Sequence, residues 1–231
     1  SYLPLTGGTL TGALSGTTLG TITLGNSSVT ISGLVYIVAE TGVSISAADA
    51  SGTPSLTAGT SNTFTVGVGA LSTFLVEDAA GGDIGNQTTA VAFNIKITAK
   101  DAYGNTVTTF TGTGNTVNIT STGTLSAGSG TTATFTNGVL ASRSVTISNK
   151  GNWTITATRT SGGTQSGTSN SFLVGTNRYA VATGNWDATT TWSATSNGTA
   201  GASVPVAGDN VFIGEGSTAR TVTIPAGYSA T

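Results

Sequence analysis

The chain reads as all-β, and three observations support this. Glycine supplies 34 of 231 residues, and Thr, Ser, Val and Ala make up much of the rest. Leu, Glu, Lys and Arg at the three-and-four spacing of an amphipathic helix are missing. Apolar and polar residues instead alternate over strand-length runs bounded by Gly, Asn and Asp. With 37% apolar and only 7% charged residues, the composition is not the charged, apolar-poor one of a disordered chain.

Residues 1–60 form the first region. Short alternations such as Thr21-Ile22-Thr23-Leu24 and Val29-Thr30-Ile31 are punctuated by Gly12, Gly16, Gly20, Gly25 and Gly33, which predicts short strands with tight turns. Its two Tyr, with no Phe or Trp, leave too little apolar mass for a private core, so partner chains are expected to cover Leu24 and Ile31. The opening run Leu3-Pro4-Leu5-Thr6-Gly7-Gly8-Thr9-Leu10-Thr11-Gly12 resembles the short repeat of bacteriophage fibre proteins. That resemblance implies a threaded stalk in which three chains wrap one axis, and hence a homotrimer.

Residues 61–175 carry alternating runs at the spacing of a β-sandwich. Phe64, Val66 and Val68 share one face; Phe93, Ile95, Ile97 and Ala99 share another, opposite Asn94, Lys96 and Thr98. Further strands are expected at 117–119, 132–135, 144–147, 153–157 and 171–174. Phe93, Ile95, Phe135, Trp153 and Ile155 are the expected core, and Asp101–Asn105 and Asn137-Gly138 the expected turns. Ala99-Lys100-Asp101-Ala102-Tyr103-Gly104-Asn105, followed by Gly151-Asn152-Trp153, resembles the immunoglobulin-like modules of invasin-type bacterial adhesins. The resemblance implies a structural and recognition module without catalytic residues.

Residues 176–231 hold Gly184-Asn185-Trp186, Thr191-Trp192 and Pro205-Val206-Ala207-Gly208-Asp209-Asn210-Val211. They resemble the opening segment of β-helix domains in secreted Bacteroidetes proteins. A solenoid buries its core only by stacking several coils, so this region is expected to borrow support from neighbouring chains or from polypeptide beyond Thr231. The absence of Met likewise predicts a processed chain or an excerpt.

The formal charge is −2, and the seven bases, Lys96, Lys100, Arg143, Lys150, Arg159, Arg178 and Arg220, are scattered, so no nucleic-acid stripe is read. No apolar run approaches the roughly 20 residues of a membrane-spanning helix, so no membrane insertion is expected. Without His or Cys, hydrolysis would fall to paired carboxylates, for which Asp78 with Asp83, and Asp187 with Asp209, are the available pairs. Glu77, Asp78 and Asp83 are hard oxygen ligands for Ca2+, but their spacing is not that of a calcium loop, and a solvated acidic loop is expected. Asn-x-Ser/Thr at Asn26, Asn86, Asn118, Asn152 and Asn197 is no more than a Thr-rich chain produces by chance. No catalytic residue, metal or cofactor is assigned. Trp186 and Trp192 are the residues to test for glycan stacking, with a folding role the favoured alternative for both.

Together these readings describe an elongated modular fibre: an interchain stalk, an immunoglobulin-like sandwich and a short β-helical C-terminal part. The expected function is that of a phage tail or head fibre on the virion surface, contacting other virion proteins and a host glycan or protein. A secreted bacterial adhesin or filament subunit is the alternative, and a polysaccharide-degrading β-helix enzyme the third.

Overall fold

The computed structural model describes residues 13–14, 35–47, 57–214 and 219–226. The stalk strands expected at 21–24 and 29–31, with Leu24 and Ile31, lie outside them. The described residues are nearly all β, and the one helical element is a single 3-10 turn at Thr189–Thr191. They divide into two compact units, one reaching to Ala70 and including Asp101–Val107, the other comprising Leu71–Lys100 and the residues from Thr108 onward.

In the first unit, β1 (Ala13–Leu14) runs parallel to β2 (Val35–Tyr36). Next come β3 (Glu40–Val43), β4 (Ser46–Ala47), β5 (Gly59–Thr60) and β6 (Phe64–Val66), with β3 antiparallel to β6 and β4 antiparallel to β5. Ser61 locks this ribbon: its N–H donates to the Ile45 carbonyl at 2.9 Å, and its Oγ accepts from the Ile45 N–H at 2.9 Å. Phe64 was expected within the sandwich, on one face with Val66 and Val68. It lies instead in this ribbon, 40% exposed, because among the described residues β6 pairs with β3 alone and a two-stranded ribbon encloses no core.

The second unit contains the sandwich. Its strands are β7 (Thr73–Asp78), β8 (Gln87–Thr88), β9 (Phe93–Lys100), β10 (Val117–Ser121), β11 (Leu125–Ala127), β12 (Gly130–Thr131), β13 (Val139–Ile147), β14 (Gly151–Trp153), β15 (Ile155–Arg159), β16 (Ser166–Thr168) and β17 (Phe172–Gly175). One sheet has the order β11-β13-β9-β7 and the other β12-β10-β15-β16. This is the D-E-B-A and C-F-G arrangement of an immunoglobulin constant-type sandwich, with β12 added beside the C position. A third sheet, β14-β17-β8, places β17 between two partners, antiparallel to β14 and parallel to β8.

Alternation explains the core. Ile95, Ile97 and Ala99 of β9 point inward and are buried with Phe74 and Val76 of β7, Val117 and Ile119 of β10, Val145 and Ile147 of β13, and Ile155 and Ala157 of β15. On the outer face Lys96 stands directly opposite Glu77 in register and pairs with it at 3.3 Å. Phe74, Phe110 and Phe135 form a cluster, with Phe110 edge-on to Phe135 at 4.9 Å and to Phe74 at 5.3 Å between ring centroids. Asn137 and Gly138, at φ +48° and +80°, make the expected tight turn between Thr136 and Val139.

Four sequence expectations are corrected here. Residues 132–135 are not a regular strand: strand pairing with β10 ends at Thr131, and beyond it only two backbone bonds, from the Thr132 N–H to the Val117 carbonyl at 2.9 Å and from the Phe135 N–H to the Asn115 carbonyl at 3.2 Å, follow that side as Phe135 enters the core. The run 153–157 is not one strand: it breaks at Thr154, with β14 joining β17 and β15 joining β10 and β16. Trp153 therefore sits only half-buried at this sheet switch, its indole N–H donating to the Asn149 carbonyl at 3.0 Å. Phe93 is likewise only partly buried, and stands edge-on to Phe172.

Thr176 alone separates β17 from the strands that follow: β18 (Asn177–Ala180), β19 (Gly184–Asn185), β20 (Trp192–Ser193), β21 (Asn210–Phe212) and β22 (Val222–Thr223). β21 returns parallel to β18, and β22 parallel to β19. Two successive strands of one pass thus stack on two successive strands of the next, as coils of a solenoid do.

Candidate functional site

Aligned side chains mark the stacked pass. Asn177 lies opposite Asn210 and Tyr179 opposite Phe212. The Asn210 amide donates to Asn177 Oδ1 at 3.0 Å and to the Gln87 carbonyl at 2.9 Å. Asn177 Oδ1 also accepts from the Thr88 hydroxyl at 3.1 Å, and its amide donates to the Tyr179 hydroxyl at 3.0 Å. Tyr179 and Phe212 stack with centroids 4.8 Å apart and planes 13° from parallel. An amide ladder and an aromatic stack two residues along the same face are the side-chain signature of in-register strand stacking.

Charge completes the junction between the sandwich and these strands. The Asp209 carboxylate is fully buried, contacts the Lys150 ammonium, lies 3.8 Å from Arg178 Nε and accepts from the Val206 N–H at 3.1 Å. Arg178 further donates to Ser203 Oγ at 2.7 Å. Gly175 is required where the two parts meet, since a Cβ there would stand 2.4 Å from the Gly208 carbonyl oxygen. Asp209, read from sequence as half of a carboxylate pair with Asp187, is thus committed to two cations, while Asp187 is exposed.

The remaining candidates fall as follows. Trp192 is fully buried, stands edge-on to Trp186 at 5.1 Å, and donates its indole N–H to the Trp186 carbonyl at 2.8 Å. Its ring offers no face to a sugar, which sets glycan stacking aside at this residue in favour of the folding role; Trp186 is half-buried. Glu77 and Asp78 end β7 and are not loop residues. Glu77 takes Lys96 and the Gly82 N–H, and Asp78 accepts from the Ala80 N–H at 2.8 Å. Asp83 stands exposed just beyond the same turn. Among the described residues no group of three or more carboxylates gathers as a metal site would require.

The Asp101–Asn105 turn belongs to the first unit, where it forms a clasp. Asp101 is buried, and accepts from the N–H groups of Gly69, Tyr103 and Asn105 and from the Asn105 amide, each at 2.9 Å. Burial alone pushes its carboxyl up, but the Asn105 amide and the N–H groups of Gly69, Asn105 and Tyr103 outweigh it and lower its pKa to about 2. Asn105 in turn donates to the Ile37 carbonyl at 2.8 Å and accepts from the Ala39 N–H at 3.0 Å.

Sequence reasoning had singled out Asp101 and Asn105 as turn residues only, and had missed Asn177, Asn210, Tyr179 and Phe212. The recurring Asn-x-aromatic pattern at 177–179 and 210–212 was the available signal.

No family model and no curated protein matches the sequence. Among solved structures, the chain is similar to a crystal structure of domains 4 and 5 of the S-layer protein SbsC, at 23% identity and a TM-score of 0.30. That alignment covers 51% of this chain and 52% of the other, about half of each.

Proposed function

We propose that this chain is a structural and binding element of a surface assembly, namely a segment of a virion fibre that displays host-attachment surface. The supporting observation is the junction at Thr176, where sandwich and stacked strands are joined by the Asn210 amide, bonded to Asn177 and to the Gln87 backbone carbonyl, and by the Lys150–Asp209–Arg178 charge cluster. The polar groups that a hydrolase would hold free in a cleft here hold two β modules together. Such a build suits a part that carries and presents other surfaces.

In this reading the chain is a homotrimer through residues 2–50, contacts other virion proteins, and meets a host glycan or protein through exposed loops or the C-terminal part. Three copies on one axis would turn weak single contacts into roughly 10²–10⁴-fold avidity where their spacing matches the receptor. The test is to incubate the purified assembly with host-surface polysaccharide and to measure both retention and release of reducing ends. Retention without release supports the reading. Release that disappears in Asp187→Asn overturns it in favour of an enzyme.

A further inference from the structure

We infer that the junction between the sandwich and the stacked strands is a site of covalent self-modification, at which the Lys150 amine condenses with the Asp209 carboxyl to form an intramolecular amide. The inference goes beyond the attachment reading and does not depend on it.

Placement supplies the first argument. Lys150 stands in the turn between β13 and β14, and Asp209 immediately precedes β21. The two segments run close together, since a Cβ on Gly208 would stand 3.9 Å from the Lys150 Cβ. Lys150 Nζ is in direct contact with Asp209 Oδ1, one bond from the carbon it would attack. Reacting groups that a fold holds together in this way have an effective concentration far above any reached in solution. The Asp209 side chain is 0% exposed, against 35% for Lys150. A carboxyl held out of bulk water favours condensation over hydrolysis of the product.

The surrounding groups supply the second argument. Oδ1 meets the ammonium, while Oδ2 faces two donors, the Val206 N–H at 3.1 Å and Arg178 Nε at 3.8 Å. Arg178 Nε is buried and makes no hydrogen bond, so it is a donor held in place for charge that develops on Oδ2. The step balances without a co-reactant. The ammonium passes one proton to Oδ1, and the freed nitrogen lone pair attacks Cγ. The carbonyl electron pair moves onto Oδ2, where the Val206 N–H and Arg178 stabilise it. On collapse the Cγ–Oδ1 bond breaks, Oδ1 takes a second proton from the nitrogen, and water departs; nothing is oxidised or reduced. The product keeps an acceptor at Oδ2 for both donors, and it replaces two of the junction's three charges by a neutral amide, ending the cost of holding them out of water. The Glu77–Lys96 pair, 3.3 Å apart with the Glu77 side chain 18% exposed, stays open to water, remains ionic and is the internal control.

The experiment takes the full, natively folded chain, fresh from purification and after storage at neutral pH, denatures it, and measures its intact mass before digestion with trypsin. A mass lower by one water is expected, together with a branched peptide that joins residues 144–159, uncut at Lys150, to residues 179–220. Reductive methylation of the denatured chain should modify Lys96 and spare Lys150. Lys150→Arg, which keeps the cation and cannot form this amide, should hold its full mass and give no branched peptide. The branched peptide separates this amide from loss of water elsewhere in the chain, as at an aspartyl succinimide. The inference is overturned if the stored wild-type chain keeps its full mass with Lys150 open to methylation. It is overturned equally if water is lost but residues 144–150 and 179–220 appear as separate peptides. None of these readouts involves polysaccharide or trimerisation, so its failure is distinct from failure of the attachment reading.

Discussion

Asn105 donates its amide to Asp101 at 2.9 Å and uses the same group to bracket a peptide backbone, accepting from the Ala39 N–H and donating to the Ile37 carbonyl. A side chain here does what a neighbouring strand would do, and it reads backbone alone. The carboxylate fixes the amide's orientation, so the clasp depends on the charge of Asp101.

That dependence has a sign. The carboxyl's pKa is lowered from 3.8 to about 2 in the folded chain, so its contribution to stability is fully present above about pH 4 and is lost as pH falls through about 2. Exchange of the Ala39 amide, followed over that range, should accelerate before the sandwich unfolds. Asp101→Asn should remove this pH dependence and cost about 1.5–3 kcal/mol, the usual scale for hydrogen bonds to a charged group. An unchanged pH profile in the variant would refute the clasp.

Phe135→Ala should destabilise the second unit by about 3–5 kcal/mol, because the ring is buried and touches both Phe74 and Phe110. Phe135→Leu should cost less than half as much. Denaturant unfolding followed by Trp fluorescence measures both.

Gly167→Ala tests how the two sandwich sheets meet. An added Cβ would stand 1.6 Å from the Phe74 carbonyl oxygen, so β16 and β7 must separate to admit one methyl group. A loss of at least about 1–3 kcal/mol is expected, as for overpacked cores. Gly163→Ala is the control, since the nearest atom there is the flexible Gln165 side-chain oxygen.

Asp209→Asn should loosen the sandwich from the stacked strands, leaving Lys150 and Arg178 without their shared anion, at about 1–3 kcal/mol. In a double-mutant cycle with Lys150→Met the two losses should be non-additive. Additive losses would show that the contact carries no energy.

Leu24→Asp or Ile31→Asp should dissociate the proposed homotrimer, since each buries an unpaired charge in the expected interface. Sedimentation of the wild-type chain as a monodisperse monomer would end the trimer proposal.

What the sequence revealed and what it hid follow from the range of the forces involved. β9 was legible because Ile95 and Ile97 alternate with Asn94 and Lys96, and the Asn137-Gly138 turn because both residues accept positive φ. β7 was not, since Phe74-Leu75-Val76 is a continuous apolar run in which only the fold decides that Leu75 points outward. The break at Thr154 depends on which strands wait on either side, β17 for one half and β10 for the other. The Asn177–Asn210 bond joins residues 33 apart, and its meaning appears only when two passes of the chain are stacked. Trp186 and Trp192 look alike as exposed-aromatic candidates, yet one of them is sealed by the other's neighbourhood.

The central position of β17 has a mechanical consequence. Tension applied through the stacked strands enters the sandwich by way of Thr176, and therefore pulls on a strand flanked by β14 on one side and β8 on the other. A strand gripped on both flanks and pulled along its own length loads its hydrogen bonds together in shear, whereas an edge strand peeled from its end loses them one at a time. The chain's point of attachment between modules is thus the part of the third sheet that a pull is least able to unzip.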